Sequence, residues 1–222
     1  MTQSASPEQI TFQFQRPEFD GVSTAANTAL GLGALASKLA QEKRTRVEHP
    51  DGRAENVAEH SLALAKVARE LAAQLYPELD QNLVASFADV HDDVEAYVGD
   101  TATDFITKEE LDRKHEREKL GIAKLKEEYK DLPSYVTLIE EYEEQEIPEA
   151  RFVKIVDKLM PILSHFANEG KVMRENYSSE TLLNLKRRNE SVRKYLEQYP
   201  EFKKIVDLRE ELVALMAEKF LK

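Results

Sequence analysis

The sequence predicts an all-α fold. Apolar residues recur at helical spacing, most clearly over residues 56–75 and 151–160. Helix-starting residues stand ahead of such runs: Asp80 and Thr107 as N-caps, Pro133 and Pro148 at first-turn positions. No stretch carries a convincing strand pattern, and there is no internal repeat or low-complexity tract.

Taken in order, residues 1–22 are polar, contain Pro7 and Pro17, and show no period. They read as a mobile arm whose alternating Ile10, Phe12 and Phe14 offer a docking edge. A helix rich in Ala and Leu is expected over 23–42, with Gly31 and Gly33 permitting close backbone packing. Residues 43–53 read as a basic loop with a turn at Pro50-Asp51-Gly52. Helices follow over 54–76, ended by Pro77, over 81–97 and over 108–129, with a loop at 99–104. Pro133 opens a helix through the acidic run 140–146. Pro148 opens the helix carrying Asp157, where Pro161 predicts a kink. Residues 179–200 and 201–222 read as two amphipathic helices. The expected organisation is an arm (1–22), a helical domain (23–175) and a C-terminal helical extension packed on it (176–222).

Composition narrows function. At 222 residues the chain is long enough for a real core. Its 42 acidic and 31 basic residues give a net charge of -11, which argues against binding a nucleic-acid polymer. Any phosphate ligand must therefore find a local cationic pocket. No apolar run approaches the roughly 20 residues that cross a membrane, and the first residues lack signal-peptide character. The absence of cysteine excludes disulfides and thiolate metal sites and suits a cytoplasmic protein.

Four polar residues fall on apolar helix faces. His60 shares a stripe with Val57, Leu64, Val67 and Leu71; His91 shares one with Val84, Phe87 and Ala88, and Asp92 follows it. Asp157 lies between Val153 and Met160. Buried carboxylates are costly unless paired or bound to a metal, and two imidazoles with two carboxylates suit one divalent ion. Each residue alone has a plainer reading: a packed core histidine, a hydrogen-bonded aspartate, or a His-Asp pair that merely ends a helix. The weight lies in the order His, His-Asp, Asp. Adjacent helical residues point about 100° apart, so His91 and Asp92 share an ion only if it sits between them at the helix surface.

The segments Arg53-Ala-Glu-Asn-Val-Ala-Glu-His60-Ser61, Val90-His-Asp-Asp-Val-Glu95, Gly99-Asp-Thr101 and Lys154-Ile-Val-Asp157-Lys-Leu159 resemble the HD-domain phosphohydrolases. Within these they are most similar to the branch of the 5'-deoxynucleotidases and their bacterial relatives. The resemblance covers about 35–163. It implies an HD-type helical bundle, one divalent metal ion per chain (Mn, Co, Fe, Ni or Zn) held by His60, His91, Asp92 and Asp157, and hydrolysis of a small phosphate ester, most readily a nucleotide. A homodimer is also implied. Ala96 stands where alarmone hydrolases of this class carry Asp, and the added histidines of the two-metal phosphodiesterases are missing, so a mononuclear site is expected.

The resemblance makes Glu95 the proton-handling residue, the alternative being a partner of a ligand histidine. It places a phosphate-gripping arginine at Arg44 or, because the loop spacing differs by about one residue, at Arg46; the plain alternative is a solvated basic loop. Asp100 becomes a candidate acceptor for a sugar hydroxyl, against an ordinary turn aspartate. Asp93 reads as solvated, Glu55 as a helix-start charge, and the acidic run around Tyr142 as a solvated face. Three outcomes remain distinct: a nucleoside monophosphatase, a nucleoside triphosphate pyrophospho- or triphosphohydrolase, and a catalytically silent metal-stabilised nucleotide-binding protein.

Overall fold

The computed structural model of the chain describes residues 11–101, 107–177 and 192–220. The first ten residues of the arm, residues 102–106 of the expected loop and residues 179–191 of the expected C-terminal helix lie outside it. The fold is an all-α bundle. In order it runs α1 (Thr24–Leu39), β1 (Lys43–Glu48), β2 (Ala54–Asn56), α2 (Val57–Leu75), α3 (Gln81–Val90), α4 (Glu95–Val98), α5 (Lys108–Glu128), α6 (Pro133–Glu144), α7 (Pro148–Asp157), α8 (Met160–Ala167) and α9 (Lys171–Tyr177). The C-terminal part described contains α10 (Tyr195–Gln198) and α11 (Lys203–Phe220), joined by a 3-10 turn at Pro200–Phe202. No helix among the described residues is long and apolar enough to cross a membrane.

Helix starts follow their caps. Asn56 and Glu59 form a reciprocal capping box on α2, and Thr107 and Glu110 form another on α5. Asp80 accepts from the amides of Asn82 and Leu83 at the start of α3, and Pro148 lies in the first turn of α7. The apolar faces of α2, α3 and α7 meet in the main core, where Leu64, Phe87, Phe152 and Val156 lose essentially all solvent contact. Burying such a side chain contributes roughly 1.5–3 kcal/mol, so this three-helix contact fixes where His60, His91 and Asp157 stand.

Three expectations need correction. Residues 43–53 are not a loop throughout: β1 pairs antiparallel with β2 as a short irregular hairpin, with Gly52 at φ 85° in its turn. The helix expected over 81–97 stops at Val90, and residues 91–94 form tight turns before α4. There the amides of Asp93, Glu95 and Ala96 bond to carbonyls three residues back, which is 3-10-like winding. Finally, Pro161 does more than kink a helix. The chain breaks at Lys158 and Leu159, and α8 begins anew with the proline in its first turn.

The arm's described part is packed against the bundle. Phe12 and Phe14 meet the Tyr97 ring edge-on, with centroids 6.4 and 5.2 Å apart, and the Gln13 amide donates to the Tyr97 carbonyl at 2.9 Å. Arg16 is buried: it pairs with Asp131, donates to the Glu128 carbonyl at 2.7 Å and lies 4.7 Å from the Tyr129 ring centre. Gly31 makes this possible, because a Cβ there would come within 2.6 Å of Arg16 Nε. Gly33 has no such neighbour.

Candidate metal centre

His60 enters from the first turn of α2, His91 from the C-cap of α3, Asp92 from the tight turn behind it, and Asp157 from the last residue of α7. One ligand atom each from His60, His91 and Asp157 falls within 4.8 Å of the others. His60 Nε2 lies 3.0 Å from Asp157 Oδ1, and His91 Nε2 lies 3.0 Å from Asp92 Oδ2. Asp92 Oδ2 is also 3.8 Å from His60 Nε2, which brings all four predicted ligands into one cluster. Although adjacent residues of a helix diverge, His91 Nε2 and Asp92 Oδ2 converge to 3.0 Å, so an ion shared by them would sit between the two side chains. The chain tightens here, and at about three residues per turn Asp92 and Glu95 stack on one face.

Hydrogen bonding assigns the His91 tautomer. Its Nδ1 faces the Ala88 carbonyl at 2.9 Å, so the neutral ring donates there and presents a lone pair at Nε2. That nitrogen is buried, has no hydrogen-bond partner among the described residues, and faces a carboxylate oxygen. Two lone pairs at this distance repel unless a proton or a metal cation lies between them. Burial pushes His91 down, yet the Asp92 and Asp157 carboxylates outweigh it and hold the imidazole above its ordinary range. Asp92 and Asp157 are held well below the usual carboxylate range. Burial opposes this, but His91 prevails at Asp92, and Lys158 with His60 prevails at Asp157. A nitrogen and oxygen donor set of this kind fits a divalent ion.

Around it stand the other candidates. Glu95 is buried, with one carboxyl oxygen lacking any hydrogen-bond partner among the described residues. Burial, then the charges of Asp92 and Asp100, push its carboxyl well above the ordinary range. Arg44, on β1, places Nη1 3.0 Å from Asp92 Oδ2 and Nε 3.4 Å from Glu55 Oε2. Arg46 belongs to the same strand, but its side chain lies outside the described part. Asp100 follows Gly99, whose φ of 74° suits glycine, and accepts from the Thr45 amide at 2.7 Å.

Three readings of neighbouring residues are corrected. Asp93 is buried rather than solvated; burial raises its carboxyl to about 7 despite a hydrogen bond from the Tyr135 hydroxyl at 2.5 Å. Glu55 does not serve the helix start. It lies in β2 with Oε2 3.8 Å from His60 Nδ1, so one carboxylate faces both a candidate ligand and the candidate phosphate arginine. Tyr142 is buried, its ring edge-on to His91 at 6.1 Å, so the acidic run is not wholly a solvated face. Lys158 was not singled out by the sequence, yet its Nζ lies 2.6 Å from Asp157 Oδ2. Its only signal was position, directly after a candidate ligand. Arg53 turns away from the cluster and pairs with Glu59 at 2.8 Å.

The HD domain family matches residues 36–199. No curated protein is significantly similar to the chain. Among solved structures, a predicted metal-dependent phosphohydrolase from Magnetospirillum magnetotacticum MS-1 is 26% identical. It has a TM-score of 0.66 over 88% of this chain and 93% of that one. A conserved hypothetical protein from Pyrococcus furiosus is 26% identical, with a TM-score of 0.54 over 81% of this chain and 98% of its own. A protein from Pyrococcus horikoshii OT3, at 24% identity and a TM-score of 0.51, shares the fold over 81% of this chain and 96% of its own. With a family match over well more than half its length, and an all-α bundle that brings His60, His91 and Asp157 together with Asp92 beside both histidines, this chain belongs to the HD-domain family.

Proposed function

We propose that this protein is a metal-dependent phosphohydrolase that releases phosphate from a (deoxy)nucleoside 5'-monophosphate. His60, His91, Asp92 and Asp157 would hold one divalent ion. When bound, that ion supplies an acidified water and polarises the phosphoryl oxygens. Arg44 neutralises equatorial oxygens of the phosphoryl group through a guanidinium already oriented by Asp92 and Glu55. As water adds to phosphorus and the ester P–O bond breaks, the Glu95 carboxyl delivers its proton to the departing ester oxygen. Asp100, tied to β1 through Thr45, stands beside this strand as the acceptor for a sugar hydroxyl.

The observation that carries this reading is Glu95: a buried carboxyl pushed well above the ordinary carboxylate range by burial and by Asp92 and Asp100, with an unpartnered oxygen among the described residues, three residues from a candidate ligand. A silent metal-stabilised fold has no use for such a group, because leaving a buried polar atom unpaired costs about 1–3 kcal/mol. The similarity to a predicted metal-dependent phosphohydrolase supports the reaction class. The nucleotide rests on the resemblance of the motif segments.

The experiment is a phosphate-release screen over ribo- and deoxyribonucleoside mono- and triphosphates, with each of Mn, Co, Fe, Ni and Zn. Release from monophosphates, abolished by chelation and restored by metal, is expected. Asp100→Ala should change the deoxy-to-ribo ratio more than the overall rate. Full turnover in a chelated, metal-free sample would contradict the proposal, and pyrophosphate release from triphosphates would move it to the pyrophosphohydrolases.

A further inference from the structure

Lys158 caps the end of α7 directly after Asp157, where the chain breaks before α8. Its ammonium lies 2.6 Å from Asp157 Oδ2, whereas Asp157 Oδ1 faces His60 Nε2 at 3.0 Å. The carboxylate thus divides its oxygens, one toward the ligand cluster and one toward lysine. Arg44 holds the corresponding place at the other edge, 3.0 Å from Asp92 Oδ2. Two cations from different segments therefore flank the ligand set, each braced by one of its carboxylates.

An ammonium has three donors, and the contact with Oδ2 occupies one. The Lys158 side chain is 34% exposed while that of Asp157 is 15% exposed, so the lysine stands on the solvent side of the ligand. Lys154, four residues earlier, is also partly buried; burial and then the Lys158 charge hold it below the ordinary lysine range. Like charges at this spacing destabilise a helix, and an anion bound between them and the cluster relieves that repulsion. In a chain of net charge -11, such a concentration beside the ligands is a local feature.

We infer that Lys158 is a second phosphate-binding side chain, holding phosphoryl oxygens on the Asp157 side as Arg44 holds them on the Asp92 side. The inference rests on the phosphohydrolase reading and adds a binding residue to it. A dianionic phosphate monoester then meets cationic side chains at both edges of the site. Lys154 stands behind as a further positive charge.

The test is calorimetric titration of inorganic phosphate into the metal-loaded full chain, with metal content measured on the same samples. Lys158→Gln should keep its ion and lose about 10- to 100-fold in phosphate affinity, the range for a charged hydrogen bond. Lys158→Arg should recover much of this, which guards against a mere folding defect. Unchanged phosphate affinity in Lys158→Gln, with Arg44→Ala weakened, would remove Lys158 from the site and leave the phosphohydrolase reading standing. Loss of the ion from Lys158→Gln, with normal phosphate affinity once metal is in excess, would make the lysine a support for Asp157 alone and overturn the inference. If phosphate does not bind the loaded native chain, the phosphohydrolase reading falls and this inference falls with it.

Discussion

Arg16 and Arg44 both carry a guanidinium largely out of water, with side-chain exposures of 4% and 15%, yet their surroundings differ in kind. Arg16 lies in a closed arrangement: the Asp131 carboxylate, a backbone carbonyl and the face of Tyr129. Arg44 lies among competing groups. Glu55, Asp92, Glu95 and Asp157 gather around two cationic side chains, Arg44 and Lys158, and two imidazoles. Burial and pairing therefore do not mark a functional arginine. What separates the two is whether the carboxyl groups around the arginine are answered by the protein alone.

The largest expected effect tests that difference directly. His91→Ala or Asp157→Ala should abolish both metal binding and hydrolysis while leaving most of the helical circular dichroism. Arg16→Ala should leave metal content untouched. If Arg16→Ala also strips the ion, the two regions are not separate.

Next comes Glu95→Gln, which should lower turnover by roughly 10²–10⁴-fold with the ion retained, as read by steady-state kinetics beside elemental analysis. A mutant that loses the ion at unchanged intrinsic turnover would move Glu95 into the ligand shell.

Arg44→Ala should raise KM for phosphate esters by roughly 10-fold or more, since a charge-assisted contact exceeds an exposed ion pair. Arg44→Lys should recover only part, because the fork geometry is lost. Silence in both variants, with an effect from Arg46→Ala, would shift the grip along β1 by two residues.

The smallest effect belongs to the closed side. Arg16→Ala should cost about 1–2 kcal/mol in urea unfolding, moderated because Asp131 is 43% exposed. The hydrogen bond from Arg16 holds the Asp131 carboxyl below its ordinary range. Its stabilisation is therefore present above the unfolded carboxylate pKa of about 3.9 and fades as pH falls through the lower folded value. Arg16→Ala should lose that part of the acid dependence, while Arg44 variants keep it.

The legible and illegible parts of the molecule have physical causes. Helix stripes and caps were visible because α2, α3 and α7 bury their apolar residues at a single period. Asp80 and Thr107 accept from amides within their own first turns; the Asn56 cap was missed because its helix was expected to begin at residue 54, two residues earlier. The hairpin was hidden because Lys43-Arg-Thr-Arg-Val-Glu48 is almost wholly polar, and Val47 is its one buried hydrophobic residue. The break after Val90 carries no glycine or proline, so nothing local announces it. The roles of Glu55 and Lys158 depend on which segments meet, since Glu55 reaches Arg44 from another strand, and no spacing rule encodes that. Arm docking was visible only as the alternation of Phe12 and Phe14.

That docking has a practical side. Gln13 bonds the backbone of Tyr97, and its side chain lies 2.9 Å from where a Cβ on Gly99 would stand. Both positions belong to the short segment between Glu95 and Asp100. Residues 12–14 therefore prop up the segment on which the proposed proton donor and sugar acceptor are mounted. An affinity tag crowding Phe12, or a recombinant form trimmed past Arg16, would present as an enzyme with poor turnover and normal metal content. Loss of activity on changing the amino terminus would be mistaken for damage to the chemistry, and assays intended to identify the substrate are best run with that end intact.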